Sequence, residues 1–259
     1  MMNNRFVTLL QLLTALSVSQ GRRMLRSSRN LNDFDDAIKV IEAWDEWSCF
    51  SLEDDFKEAS VDSSILQNNK DFAMQSVQIY PRALECTIYR NNKDVCLAAV
   101  DHAGQKDATD AGRALKYASP DMQNNKKVVL AAVKSNAKAL EYASKYMQDD
   151  EDVVLEAISH KGDAIRYASD RLRNDRGIVK AAVQTKQSAL CYVPEKFQAD
   201  KEIVELGVQH AGNTLFCAAD KYKDDKDIVL MACQNSELAF QHASARLQKD
   251  KDVILACNH

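Results

Sequence analysis

Residues Asn124–Gln148 read NNKKVVLAAVKSNAKALEYASKYMQ, and Asp149–Arg173 that follow read DDEDVVLEAISHKGDAIRYASDRLR. Laid one above the other, the two stretches agree column by column. Further starts at residues 174, 199, 224 and 249 continue the same spacing of 25. Earlier starts at 68 and 91 belong to the series, and the longer gap from 91 to 124 holds an insertion of about eight residues around Gln105–Ala111. A fixed period of this length is the signature of stacked supersecondary units.

Each unit has the same internal order. Asn92, Asn125, Asp150, Asp175, Asp200, Asp225 and Asp250 share one column. They precede an apolar run, where a short oxygen-bearing side chain caps the free amides of a helix start. Acids two residues later (Asp94, Asp152, Glu202, Asp227, Asp252) suit the positive end of that helix. Runs such as Val128–Val133 leave few polar positions, so this first helix is expected to be nearly surrounded by neighbours.

A polar turn follows. It reads His-x-Gly at His102/Gly104, His160/Gly162 and His210/Gly212, with glycine expected in a left-handed cap. A second helix is expected from about Ala114, Ala139, Ala164, Ala189 and Ala239, with the signature A-L-x-Y-A-S. Large residues three beyond the serine column (Met122, Met147, Leu172, Phe197, Tyr222, Leu247) are expected to seal the junction with the next unit. The His-x-Gly turn returns in alternate units, giving a 50-residue rhythm. The expected fold is therefore all-α: an α-solenoid of about seven two-helix repeats over residues 66–259, since a pair this short buries its apolar face only by stacking. A β reading fails because the apolar runs lack a period of two. Lys249–His259 supplies a first helix with no second, either a C-terminal cap or an open end.

Tandem A-L-x-Y-A-S units, each followed by D-x-x-V-V-L-x-A-V, resemble the domain-of-unknown-function family 4116, whose modules hold two such repeats. The resemblance covers about residues 66–259. It implies no activity, cofactor or catalytic residue. The sequence departs from the pattern at Tyr192-Val193-Pro194 and at Cys217-Ala218-Ala219, and Pro194 is expected to end its helix early.

Upstream of the array the chain changes character. Residues 1–20 have the charged start, apolar stretch (Phe6–Ser19) and small-residue end of a secretory signal peptide. An amphipathic helix capping the array is the other reading. Fourteen residues at 1.5 Å each make about 21 Å, short of a membrane span of roughly 30 Å. Residues 21–33 form a basic linker. Within it, Arg23–Arg26 reads R-x-L-R, which resembles the translocation motif of secreted oomycete effectors, although the acidic-Arg stretch that should follow is absent from Asn32–Asp36. Residues 34–65 (Phe34, Ile38, Val40, Ile41, Trp44, Trp47) read as a helical N-terminal cap on the first repeat.

Charge and cysteine content narrow the function. Five of the 34 basic residues lie in the first 30 positions with no acid among them, leaving 29 against 38 acidic residues downstream. An acidic body argues against general nucleic-acid binding, which needs clustered Lys and Arg. The seven cysteines (Cys49, Cys86, Cys96, Cys191, Cys217, Cys233, Cys257) make no C-x-x-C pair and fall mostly in apolar columns, so they are read as reduced, buried side chains. His102, His160 and His210 share a column but recur every second unit. Packed helices ~8–10 Å apart put them roughly 20 Å from one another, too far for one zinc ion.

Tyr117, Tyr142, Tyr167 and Tyr192 recur once per unit and are assigned to packing between repeats; base stacking is the sharper alternative. No G-x-x-x-x-G-K-S/T, G-x-G-x-x-G, G-x-S-x-G or H-E-x-x-H occurs. No catalytic residue, cofactor-binding residue or metal ligand is expected. The functional expectation is a non-enzymatic protein-interaction scaffold with a protein partner, secreted and effector-like. Its alternatives are a nucleic-acid-binding repeat protein or a cytoplasmic structural subunit.

Overall fold

The computed structural model describes residues 69–79, 81–106 and 114–257. The signal-peptide, linker and N-terminal cap readings of residues 1–65, and the R-x-L-R segment with them, lie outside the described residues. Among the described residues every regular element is helical. They cluster into two compact units, ending and starting at Gln123 and Asn124.

The unit from Asn124 onward carries the regular repeat. Its long helices are α3 (Lys126–Ser135), α4 (Glu151–His160), α5 (Arg176–Thr185), α6 (Lys201–Val208), α7 (Lys226–Cys233) and α8 (Lys251–Cys257). The first unit holds α1 (Lys70–Ile79) and α2 (Lys93–Lys106), packed against each other over Phe72, Val77 and Val95. Every helix start in the cap column is explained by its side chain. Asn125 accepts from the Lys127 and Val128 amides, Asp175 from Gly177 and Ile178, and Asp250 from Asp252 and Val253. Asn69 does the same for α1.

In α3 the buried side chains are Val128, Val129, Ala132 and Val133, and the same four columns are buried in α4 to α7. The neighbouring columns at Leu130 and Ala131 are half-buried, and Leu155 is exposed, so the first helix is less enclosed than its composition suggests.

The second half of each repeat is not one α-helix. In the four repeats over residues 124–223 it is a six-residue 3-10 helix, such as Ala137–Tyr142 or Gly162–Tyr167, followed by a bend and a single α-turn such as Lys145–Gln148 or Asp170–Arg173; in the next repeat the last turn is also 3-10 (Leu247–Lys249), and residues 114–117 of the first unit are α-helical. Ala143 and Ser144 are extended, and the Ser144 hydroxyl caps the Met147 amide. The bend does not depend on that bond, because Pro194 and Ala219 stand in the same column, equally extended and with no side-chain cap. The tail of the 3-10 helix is closed from the next turn: Gln148 Nε2 donates to the Leu140 and Glu141 carbonyls, Gln248 makes the corresponding bonds to Phe240 and Gln241, and Gln198 donates to the Leu190 and Val193 carbonyls.

Repeats join through three recurring links. The serine-column amide donates to the preceding unit (Ser169 to Gln148 O, 2.9 Å; Ser244 to Lys223 O, 2.8 Å). Cations near the helix starts reach the next unit's cap carboxylates: Lys126 to Asp150 and Asp152, Arg176 to Asp200 and Glu202, Lys226 to Asp250 and Asp252. These recur every second unit, so the 50-residue rhythm is also an electrostatic one. The sealing column is buried at Leu172, Phe197, Tyr222 and Leu247.

Three sequence expectations change here. Gly162 and Gly212 are not in left-handed conformations; each is needed because a Cβ would collide with the Ala182 or Ala232 carbonyl of the following unit. At His102/Gly104 there is no turn at all, because α2 runs on to Lys106. Pro194 does not shorten its helix. The 3-10 segment ends at Tyr192, in the same column as its neighbours, and Pro194 occupies an already extended position with φ −56° and ψ 150°.

Candidate functional site

Consecutive 3-10 helices of the second unit lie against one another and form a continuous strip. Alanine and leucine of each signature point inward: Ala139, Leu140, Ala164, Ile165, Ala189 and Leu190 are buried. The alternate positions face solvent. Along the strip these are Lys138, Arg166, Tyr192, Phe216 and Leu238, with Tyr192 36% exposed and Phe216 and Leu238 each 60%.

The tyrosine column therefore stands differently from expectation. Tyr142 and Tyr167 are half-buried and Tyr192 is exposed, at the rim of the inter-repeat contact rather than inside it. The signature alternates every residue or two around a tight helix, so the position beside buried Leu140 is already at the surface. Arg166, which the sequence reading did not single out, binds the column together. Its guanidinium carbon lies 4.7 Å from the Tyr167 ring centroid and 5.2 Å from that of Tyr192, and Nη2 donates to the Tyr167 hydroxyl at 2.6 Å. Such stacking suits a planar guanidinium. The hydrogen bond to the Tyr167 hydroxyl, helped by the charge interaction with the Tyr167 and Tyr192 phenol groups, raises the already high pKa of Arg166.

Two recesses open on the strip. One of about 220 Å³ is lined by Lys138, Lys161, Asp163, Ala164, Arg166 and Tyr167. The other, about 390 Å³, is bordered by Glu195, Phe216, Asp220 and Lys223 and floored by Cys191 and Cys217. Phe216 also meets the His242 ring at 5.5 Å.

The cysteines need correction. Cys191 is bonded to Cys217 and Cys233 to Cys257, with Cα–Cα separations of 5.0 and 4.8 Å, inside the usual range for cystine. Their sequence separations of 26 and 24 are one repeat, so stacking brings them together although no short motif announces it. Cys96 remains a buried thiol. Burial pushes its pKa up to about 12, and its Sγ donates to the Arg90 carbonyl, so it is no nucleophile at neutral pH.

The histidine column offers no shared centre among the described side chains. His160 and His210 are exposed, and His160 Nε2 sits 3.1 Å from Glu156 Oε1 in its own helix; the His102 side chain lies outside the described ones. No group of three His, Cys, Asp or Glu among the described residues is arranged to hold a metal ion. No helix among them is long and apolar enough to cross a membrane.

Neither a curated protein nor a solved structure matches the chain. A family model does match, in tandem, over residues 92–148, 150–198, 200–248 and 225–258. Nothing in these comparisons bears out the effector-type motif at Arg23–Arg26. With the repeat matched over most of its length, the chain belongs to the family described as Domain of unknown function (DUF4116).

Proposed function

We propose that the chain is a non-catalytic scaffold that binds a protein partner on the strip of 3-10 helices in residues 124–259. One observation carries this reading. Tyr192, Phe216 and Leu238 stand exposed in three successive repeats along a single continuous strip, over buried Leu190, Leu215 and Ala239. Aromatic residues and arginine are the side chains that anchor protein interfaces. The recesses described on the strip, of about 220 and 390 Å³, border these side chains and open to solvent.

A nucleic-acid reading draws on the same tyrosines, spaced one per repeat with Arg166 stacked between two of them. It is the weaker reading because Asp163, Glu195, Asp220 and Glu237 lie along the same strip and would face a phosphate backbone. For compartment, we infer secretion, supported by the residue order of segment 1–20 and by two cystine bridges of the sort that persist in oxidising surroundings.

The test is panning of a random-peptide display library against the full chain and against a Tyr192→Ala/Phe216→Ala variant. Peptides enriched on the natural chain are expected to lose at least about tenfold in affinity on the variant, the loss of one good interface anchor. Equal binding to both proteins, or saturable low-salt RNA binding with no peptide enriched, would remove the reading.

A further inference from the structure

Many cations of the second unit are tied down: Lys126, Arg171, Arg176, Lys180, Lys226 and Arg246 are held by carboxylates of the same or the next repeat. Those on the 3-10 strip are not. Lys138 and Lys161 are exposed and make no ion pair with a described carboxylate, and Arg166 is engaged only with tyrosines. All three line the 220 Å³ recess. Its single acid, Asp163, already accepts a hydrogen bond from Ser188 at 2.6 Å. Exposed Lys127, Lys134 and Lys186 also make no ion pair with a described carboxylate; what distinguishes Lys138, Lys161 and Arg166 is that one recess gathers them into a concave site with positive charge to spare.

We propose that the recess formed by Lys138, Lys161 and Arg166 receives a carboxylate side chain of an acidic peptide segment in the partner protein. The proposal rests on the scaffold reading and names the partner's chemistry. Long-range repulsion from the acidic body does not prevent it, because charges beyond about 8 Å are screened at physiological salt. Arg166 is pre-ordered by its two rings, so its free N–H groups meet an incoming oxygen with little loss of freedom.

The strip favours a peptide over a nucleic acid. Two repeats further on, the second recess is bordered by Glu195 and Asp220 together with exposed Phe216. A phosphodiester chain carries negative charge at every step and would be repelled there, whereas a peptide can place an apolar residue at the same point. Arg166 and Phe216 occupy one column two repeats apart, roughly 20 Å at ordinary helix packing distances. An extended peptide covers that in about six residues. The segment recognised is therefore one with Asp or Glu about six positions from a large apolar residue.

The experiment pans the display library against the full chain and against a Lys161→Glu/Arg166→Glu variant, whose changes are at exposed positions and whose folding is checked by its melting curve. Peptides enriched on the natural chain are expected to carry acid and apolar residue at that spacing. Their binding should fall at least about tenfold in the variant, the scale of one charge-assisted hydrogen bond, and a Glu→Gln version of the best peptide should fall likewise. Enriched peptides without acids, still sensitive to Phe216→Ala, would overturn the proposal and leave the scaffold reading standing. If no peptide is enriched, both fall. Binding of a labelled single-stranded RNA that is lost in the same variant would also overturn it, assigning the cations to phosphate.

Discussion

At Gly162 the contact that matters comes from the neighbouring repeat. A Cβ there would fall on the Ala182 carbonyl oxygen and within 2.9 Å of the Lys186 amide nitrogen, both backbone atoms that cannot step aside without moving α5. Gly162→Ala is therefore expected to lower stability by about 1–3 kcal/mol, the range for overpacking a close contact. Lys161→Ala beside it, at an exposed position, should stay within about 0.5 kcal/mol. Urea midpoints of the two variants check this, and an equal response at both sites would refute the close-contact explanation. Cap residues were readable without any such context, because an Asp or Asn before an apolar run satisfies its own helix's amides. The glycine was visible too, but its reason was not, since the carbonyl it accommodates lies 20 positions further along the chain.

Between elements, the two cystines tie successive repeats at the C-terminal end of the second unit. Cys191 and Cys217 link adjacent 3-10 helices, and Cys233 and Cys257 link the ends of α7 and α8. Closing loops of 26 and 24 residues constrains the unfolded chain by roughly 3 kcal/mol each on the chain-entropy account. The chain from an oxidising source, alkylated without reduction, should leave these four thiols unlabelled. Adding a phosphine reductant should then lower its melting temperature by several degrees. Full labelling before reduction, or an unchanged melting curve after it, would refute the bridges. The A-L-x-Y-A-S signature illustrates how far an element is legible. Its small and large apolar residues mark the buried side, but a 3-10 helix and an α-helix place Tyr192 on different parts of the surface, and only packing against α5 and α6 selects between them.

Across the second unit, six carboxylates at the junctions between repeats are held below the ordinary carboxylate range. Asp200 is lowered by the hydrogen bond from Arg176, Glu202 by those from Lys180 and Arg176, and Asp250 by that from Lys226. Asp149 and Asp224 are lowered by Ser169 and Ser244 and then by Arg171 and Arg246. At Asp150 burial pushes upward, yet the bonds from Lys126 and the Val153 amide outweigh it. A carboxylate whose folded pKa lies below its unfolded one contributes stability at pH values above the unfolded pKa, and loses it as pH falls through the folded one. The urea midpoint is expected to be level near neutrality and to drop once pH falls below about 4, the ordinary carboxylate range. An Arg176→Gln/Lys226→Gln variant should show a shallower drop, and a profile equally steep in both proteins would count against the ladder as its source. The pairs are exposed or half-buried and individually weak; the effect comes from repetition along the array.

By itself the sequence determined the period, the helical class, the cap column, the buried columns and family membership, because each of these depends on residues close together in the chain or on columns recurring every 25 positions. Tertiary structure decided what depends on contact between repeats: why Gly162 must be glycine, which cysteines pair, how the tyrosines turn to the surface, and where Lys138, Lys161 and Arg166 converge. Periodicity states that repeats stack, but the angle and register at which one backbone meets the next are set by side chains fitting across the junction, and that information is spread over two units at once.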